Sequence, residues 1–179
     1  MLRALARILA CAAVFLGGCN LVPSRDPTGE MLPSAEGKTL DGAPVTLRGE
    51  LDGKPAILMI PYTDDAQFDC DRWSLGLDQL HTPMRRFELG VVPSTFGVVA
   101  APAIDMSRRQ KRAEVAWPTV LCFYGDGADA LATQTGMGDA QYARVMLVDA
   151  AGAIRWYCDK GYTAERCEEL DRAARALGQ

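Results

Sequence analysis

The sequence predicts one α/β domain with a mixed central sheet between two layers of helices. Three observations carry that prediction. Residues 56–60, Ala-Ile-Leu-Met-Ile, form an unbroken apolar run of strand length, as expected of a central strand buried on both faces. Two further apolar runs, 96–100 and 120–123, alternate with stretches of helical period, the pattern of parallel strands joined by right-handed crossovers. Residues 145–148 and 154–157 flank the turn-like Asp149-Ala150-Ala151-Gly152, so an antiparallel hairpin closes the sheet.

The chain begins with a different kind of signal. Arg3 and Arg7 precede an uncharged, mostly apolar run over 8–15 that is too short to span a bilayer. Small residues then lead directly into Cys19, an order that describes a secretory signal. Leu16-Gly17-Gly18-Cys19 resembles the lipobox of bacterial lipoproteins. The resemblance implies that residues 1–18 are removed as a signal peptide and that Cys19 carries acyl chains. Each buried methylene adds about 0.8 kcal/mol of anchoring, so the membrane becomes a partner through the lipid. Asn20 stands where lipoproteins retained in the inner membrane have Asp, which implies a periplasm-facing position on the outer membrane.

Residues 19–36 contain Pro23, Ser24, Pro27, Gly29 and Pro33 without an apolar period, and read as a flexible lipidated tether. The domain is expected over 37–179. Residues 40–47 suggest two short extended pieces around a turn, an N-terminal β-hairpin extension. After the 56–60 strand, Cys70, Trp73, Leu77, Leu80, Met84 and Phe87 recur at helical spacing. Pro83 interrupts that stripe, with Thr82 and Pro83 suited to N-cap and N1 of a restarted second half. A second helix is expected over 105–116. The last helix should start at Thr163, with Cys167, Leu170, Ala174 and Leu177 as its apolar stripe and Gly178 as its stop.

Removing 1–18 leaves 161 of 179 residues, enough for one domain with a core. Loss of Arg3 and Arg7 lowers Lys+Arg from 19 to 17 against 23 Asp+Glu, a net charge of −6. Arg108, Arg109, Lys111 and Arg112 fall within an expected helix and read as a solvated face, so no nucleic-acid partner is expected. The acidic residues Asp64, Asp65, Asp69 and Asp71 lack an EF-hand pattern, and helix capping accounts for some of them. No metal and no cofactor are expected. His81, the single histidine, reads as structural.

Six cysteines become four after processing: Cys70, Cys122, Cys158 and Cys167. Export puts them in an oxidising compartment. Cys158 ends the last strand and Cys167 opens the last helix, so a disulfide between them would staple the two elements. Closing that loop would add about 2–3 kcal/mol. The alternative is that Cys167 is simply core.

Residues 40–55, with Leu40-Asp41-Gly42, Leu47, Leu51 and Gly53-Lys54-Pro55, resemble the entry segment of the redoxin and peroxiredoxin superfamily. The closing segment carries Tyr142 to Asp149, then Ile154-Arg155-Trp156, Gly161 and Glu165 to Leu170. It is similar to the thioredoxin-fold mitochondrial ATP-synthase assembly factors. The resemblance implies a thioredoxin-like three-layer α/β/α fold, with Cys70 as the candidate nucleophile and Arg155 as its electrostatic helper. The chemistry departs from the pattern. The tetrad Cys70-Asp71-Arg72-Trp73 lacks the second thiol of Cys-x-x-Cys. Thr63 and Gln67 replace the Pro and Thr/Ser of the peroxidatic motif, and no proline precedes Val145. Carboxylates around Cys70 disfavour a thiolate. Two functions remain: an accessory or assembly factor serving an envelope protein client, with at most one-cysteine redox activity, or a divergent thiol peroxidase or thiol–disulfide oxidoreductase using Cys70.

Overall fold

The computed structural model describes residues 22–93 and 95–178; the signal segment and the lipidation residue Cys19 lie outside the described residues. Among the described residues, seven strands form one sheet: β1 (Glu36–Thr39), β2 (Pro44–Thr46), β3 (Ala56–Ile60), β4 (Arg85–Val92), β5 (Val120–Tyr124), β6 (Arg144–Val148) and β7 (Ile154–Cys158). The helices are α1 (Asp64–Gln79), α2 (Thr95–Gln110), α3 (Asp126–Thr135) and α4 (Ala164–Leu177). Strand order is β2-β1-β5-β4-β3-β6-β7, with β3, β4 and β5 parallel and the other pairs antiparallel.

The 56–60 run is β3, buried at every position and seated against the closing hairpin, Ile57 opposite Leu147 and Ile60 opposite Arg144. Its side chains divide between two cores, as strand alternation requires. Ile57 and Met59 meet Trp73 and Leu77 of α1 and Leu170 of α4; Leu58 and Ile60 meet Leu121, Phe123 and Leu131 on the other face. Trp73 is fully buried, with edge contacts to Trp156 and Tyr162. Thr163 caps α4 by accepting the Arg166 N–H, and Asp149 closes the hairpin turn by accepting the Ala151 and Ala153 N–H groups.

Four expectations are corrected. The helix expected to restart at Thr82 is strand β4, in which Phe87, Leu89 and Val91 alternate into the core. The helical stripe from Cys70 through Leu77 coincides in period with Met84 and Phe87 only by chance, and α1 stops at Gln79. The run over 96–100 belongs to α2 rather than to a strand, and α2 therefore begins ten residues before the expected position. Gly125 (φ 57°) turns the chain after β5 into α3, a helix the sequence reading does not foresee. The expected tether is docked from Val22 onward. Val22 O accepts the Met137 and Gly138 N–H groups, and Gly29 and Glu30 exchange hydrogen bonds with Ile154. Leu32 and Ala35 are buried, which gives this proline-rich segment an apolar reason to stay.

Candidate functional site

The segment after β3, Glu88 in the middle of β4, the start of α1, and the end of α2 with the turn that follows it enclose a cleft of about 640 Å³. Thr63 builds its rim twice. As N-cap of α1 it accepts the Ala66 N–H, and its own hydroxyl donates to Ala140 O at 2.7 Å. Asp64 and Asp65 occupy the first turn, where the helix dipole favours carboxylates, and Lys111 meets Asp64 at 3.4 Å.

The cleft floor is a polar network. Arg112 pairs with Glu88 of β4 and donates to Gln67 Oε1 at 2.6 Å; Gln67 Nε2 donates to Glu88 at 3.1 Å and to Asp71 at 3.3 Å. Next to it, Arg108 lies across Gly90, where a Cβ would fall 2.6 Å from the guanidinium carbon. Arg108 reaches Tyr124 Oη at 3.3 Å and Cys122 Sγ at 3.9 Å. Asp105, buried behind them, accepts from Tyr124 at 2.5 Å and pairs with Lys38 at 2.5 Å. Burial opposes its charge, but Lys38 and Tyr124 hold the carboxyl below the usual range. The basic run read as a solvated face is thus split: Lys111 is exposed, while Arg108, Arg109 and Arg112 turn inward, Arg109 donating to Leu40 O at 2.7 Å.

Cys70 lies beneath this floor and is 2% exposed. Burial pushes its thiol well above the usual value; Glu88, Asp69 and Asp71 push it further, against a smaller opposing pull from Arg112. The neighbouring Asp69 is fully buried and serves as a clamp. Its Oδ1 accepts the Tyr162 N–H at 2.9 Å and Arg72 at 2.9 Å, and its Oδ2 accepts the Ala143 N–H at 3.1 Å. One carboxylate therefore ties α1 to the start of β6 and to the loop before α4. On the opposite sheet face, Arg144 is fully buried, donates to the carbonyls of Gly138, Asp139 and Tyr142, and sits 5.6 Å over the Tyr62 ring.

Solved structures share this architecture. Copper-bound yeast Sco1 aligns with a TM-score of 0.60 at 15% identity, over 86% of this chain and 96% of that one. The chain has a thioredoxin-like fold. A SCO1/SenC family lipoprotein from Bacillus anthracis str. Ames aligns at 0.58, 12% identity, 87% and 99% coverage. A thiol peroxidase from Chromobacterium violaceum aligns at 0.57, 12% identity, 87% and 91% coverage. No protein-family model and no curated protein matches the sequence.

Within this thioredoxin-like fold, the expected catalytic pair does not assemble. The helix α1 begins at Asp64, and Cys70 follows six residues later, nearly two turns in. The dipole's help is confined to the first turn and does not reach the sulfur. Arg155 is exposed on β7 and engaged by Asp149 at 2.6–2.7 Å; Arg72 is engaged by Asp69. The charges acting on Cys70 come from Glu88, Asp69, Asp71 and Arg112. The disulfide considered between Cys158 and Cys167 is not formed: both are free, buried thiols in the core shared by α1 and α4. Cys122 is also free, its thiol pushed up to about 11, chiefly by burial. His81, exposed with φ 52°, continues the turn that ends α1. Of this network only Glu88 carries no signal in the sequence, because β4 reads there as helix and a lone glutamate in a helix is unremarkable; Gln67 reads only as a departure from the peroxidatic motif, and Arg112 as part of a solvated face.

Proposed function

We propose that this protein is a lipid-anchored, periplasm-facing component of a bacterial cell envelope, whose thioredoxin-like domain binds an envelope protein client and does not turn over thiols. The observation that carries the reading is the state of Cys70: buried, without a second thiol in its tetrad, and surrounded by carboxylates. A thiolate is the reactive form, and every large influence here disfavours it. The cleft above it offers Phe68 and a network of paired charges, a surface suited to a polypeptide segment. Arg155, the helper in the peroxidase reading, is given to Asp149. Cys19 holds the acyl chains, and Asn20 favours the outer membrane.

The test is the rate of Cys70 alkylation against pH in the folded protein, with hydrogen peroxide turnover assayed on the same sample. Alkylation that stays slow through neutral pH, and becomes fast only in denaturant, is the expected result. Fast alkylation at pH 7 together with turnover would restore the thiol peroxidase or oxidoreductase reading. Density-gradient separation of envelope membranes reports the compartment, and recovery in the inner-membrane fraction would overturn that assignment.

A further inference from the structure

The place where the N-terminal segment enters the fold sets how the domain stands on its membrane. Val22 is held by two hydrogen bonds to its carbonyl, from Met137 N at 2.8 Å and Gly138 N at 3.0 Å. Ser24 Oγ adds a bond to Gly138 O at 3.1 Å. Only Asn20 and Leu21 separate Cys19 from Val22, so three backbone steps allow at most ~11 Å between them. Gly138 lies two residues from Ala140, whose carbonyl accepts from Thr63 on the cleft rim. The anchor and the cleft therefore belong to the same end of the sheet, the C-terminal end of its parallel strands.

That end also gathers exposed apolar side chains. Phe68, 69% exposed, lies four residues into α1; Val98 and Val99, 52% and 77% exposed, lie three and four residues into α2. Four residues of helix advance about 6 Å, so these side chains stay near the helix starts. A Cβ at Gly125, just beyond β5, would touch Val98 at 3.1 Å, which fixes the start of α2 at the same end. The exposed carboxylates of Asp65, Asp126 and Asp139 accompany them, while Asp64 is paired with exposed Lys111; the surplus of carboxylates disfavours an anionic surface.

From this we infer that the cleft-bearing end faces the bilayer that holds Cys19, with Phe68, Val98 and Val99 resting in a zwitterionic headgroup layer. This rests on the lipoprotein reading above. It deepens that reading, because a client must then enter the cleft from the membrane surface. The full-length acylated protein would be reconstituted in phosphatidylcholine and phosphatidylethanolamine vesicles, carrying a spin label at F68C, V99C or K54C. Lys54 is exposed just ahead of β3, at the opposite end. Labels at 68 and 99 should lose accessibility to a water-soluble paramagnetic reagent several-fold relative to the same protein in detergent-free solution without its lipid, and the label at 54 should not change. Adding phosphatidylglycerol should partly reverse the protection. A chain recovered without acyl mass refutes the lipoprotein reading and the orientation with it. An acylated chain whose labels at 68 and 99 remain as accessible as that at 54 refutes the orientation alone. Protection at 68 and 99 that requires an added envelope protein and is absent with vesicles would also overturn it, assigning the face to a protein.

Discussion

Replacing Asp69 with alanine tests whether the fold depends on the clamp beside Cys70. The substitution leaves the Ala143 and Tyr162 N–H groups without their acceptor in a region where Asp69 itself has no solvent exposure. Each buried unsatisfied donor costs about 1–3 kcal/mol, so the pair predicts a loss of about 2–6 kcal/mol. Arg72 adds little, since its side chain is largely solvated and such pairs contribute about 0–1 kcal/mol. Against a total stability of about 5–15 kcal/mol, the loss is large. Urea unfolding followed by far-UV circular dichroism should show a lower midpoint with an unchanged slope, and Tm should fall by about 2–4 °C per kcal/mol. Asp69→Asn, which retains one acceptor oxygen, should fall between the two. A loss below about 1 kcal/mol for Asp69→Ala would refute the reasoning, because buried donors could not then be going unpaired.

Trp73→Ala should cost about 3–5 kcal/mol in the same assay, since it empties the space between Trp156 and Tyr162. Gly136→Ala places a Cβ at a residue with φ 70°, 2.8 Å from Ser24 Cα, and should lift the docked N-terminal segment; limited trypsin digestion should then cut at Arg25 earlier than in the parent protein while the domain survives. On the acid side, the carboxyls of Asp105 and Asp149 are held below their usual values, through Lys38 and Tyr124 for one and the Ala153 N–H and Arg155 for the other, although burial opposes both. Their stabilisation is complete above the unfolded value near 4 and is lost as pH falls through the folded values, so denaturation midpoints should drop below about pH 4, and less steeply in Asp105→Asn. On the alkaline side the sign reverses for Cys122. Its stabilisation is complete below the unfolded thiol value and is lost as pH rises toward about 11; Cys122→Ala should flatten that limb.

The elements legible from sequence were those in which one short-range rule decided the outcome. Residues 56–60 had no polar side chain to place them at an edge, and the Asp149 turn and Thr163 cap carried their own hydrogen-bonding chemistry. Legibility failed where a pattern had two explanations. Met84 and Phe87 continue the α1 stripe on paper, yet Phe87, Leu89 and Val91 also alternate, and pairing with β3 and β5 decides for the strand. The site followed the same division. Loss of the second thiol was plain from the tetrad, and the acidic neighbours correctly indicated an unfavourable setting for a thiolate. The polar floor was hidden because Arg108 and Arg112 reach β5 and β4 only once α2 packs onto the sheet, and charged residues within a helix ordinarily face water.

The polar fastening of α2 governs how the molecule breathes. Its inner surface is held by Asp105, Arg108 and Arg109 through directional bonds, while Val98, Val99 and Met106 are each more than half exposed. A helix fastened in this way sits in a defined rotation, and its exposed valines and methionine add little to the shared apolar free energy. Its backbone amides should therefore exchange with solvent through a sub-global opening, well before those of α1 and α4. The element forming one wall of the cleft would then open before the sheet does.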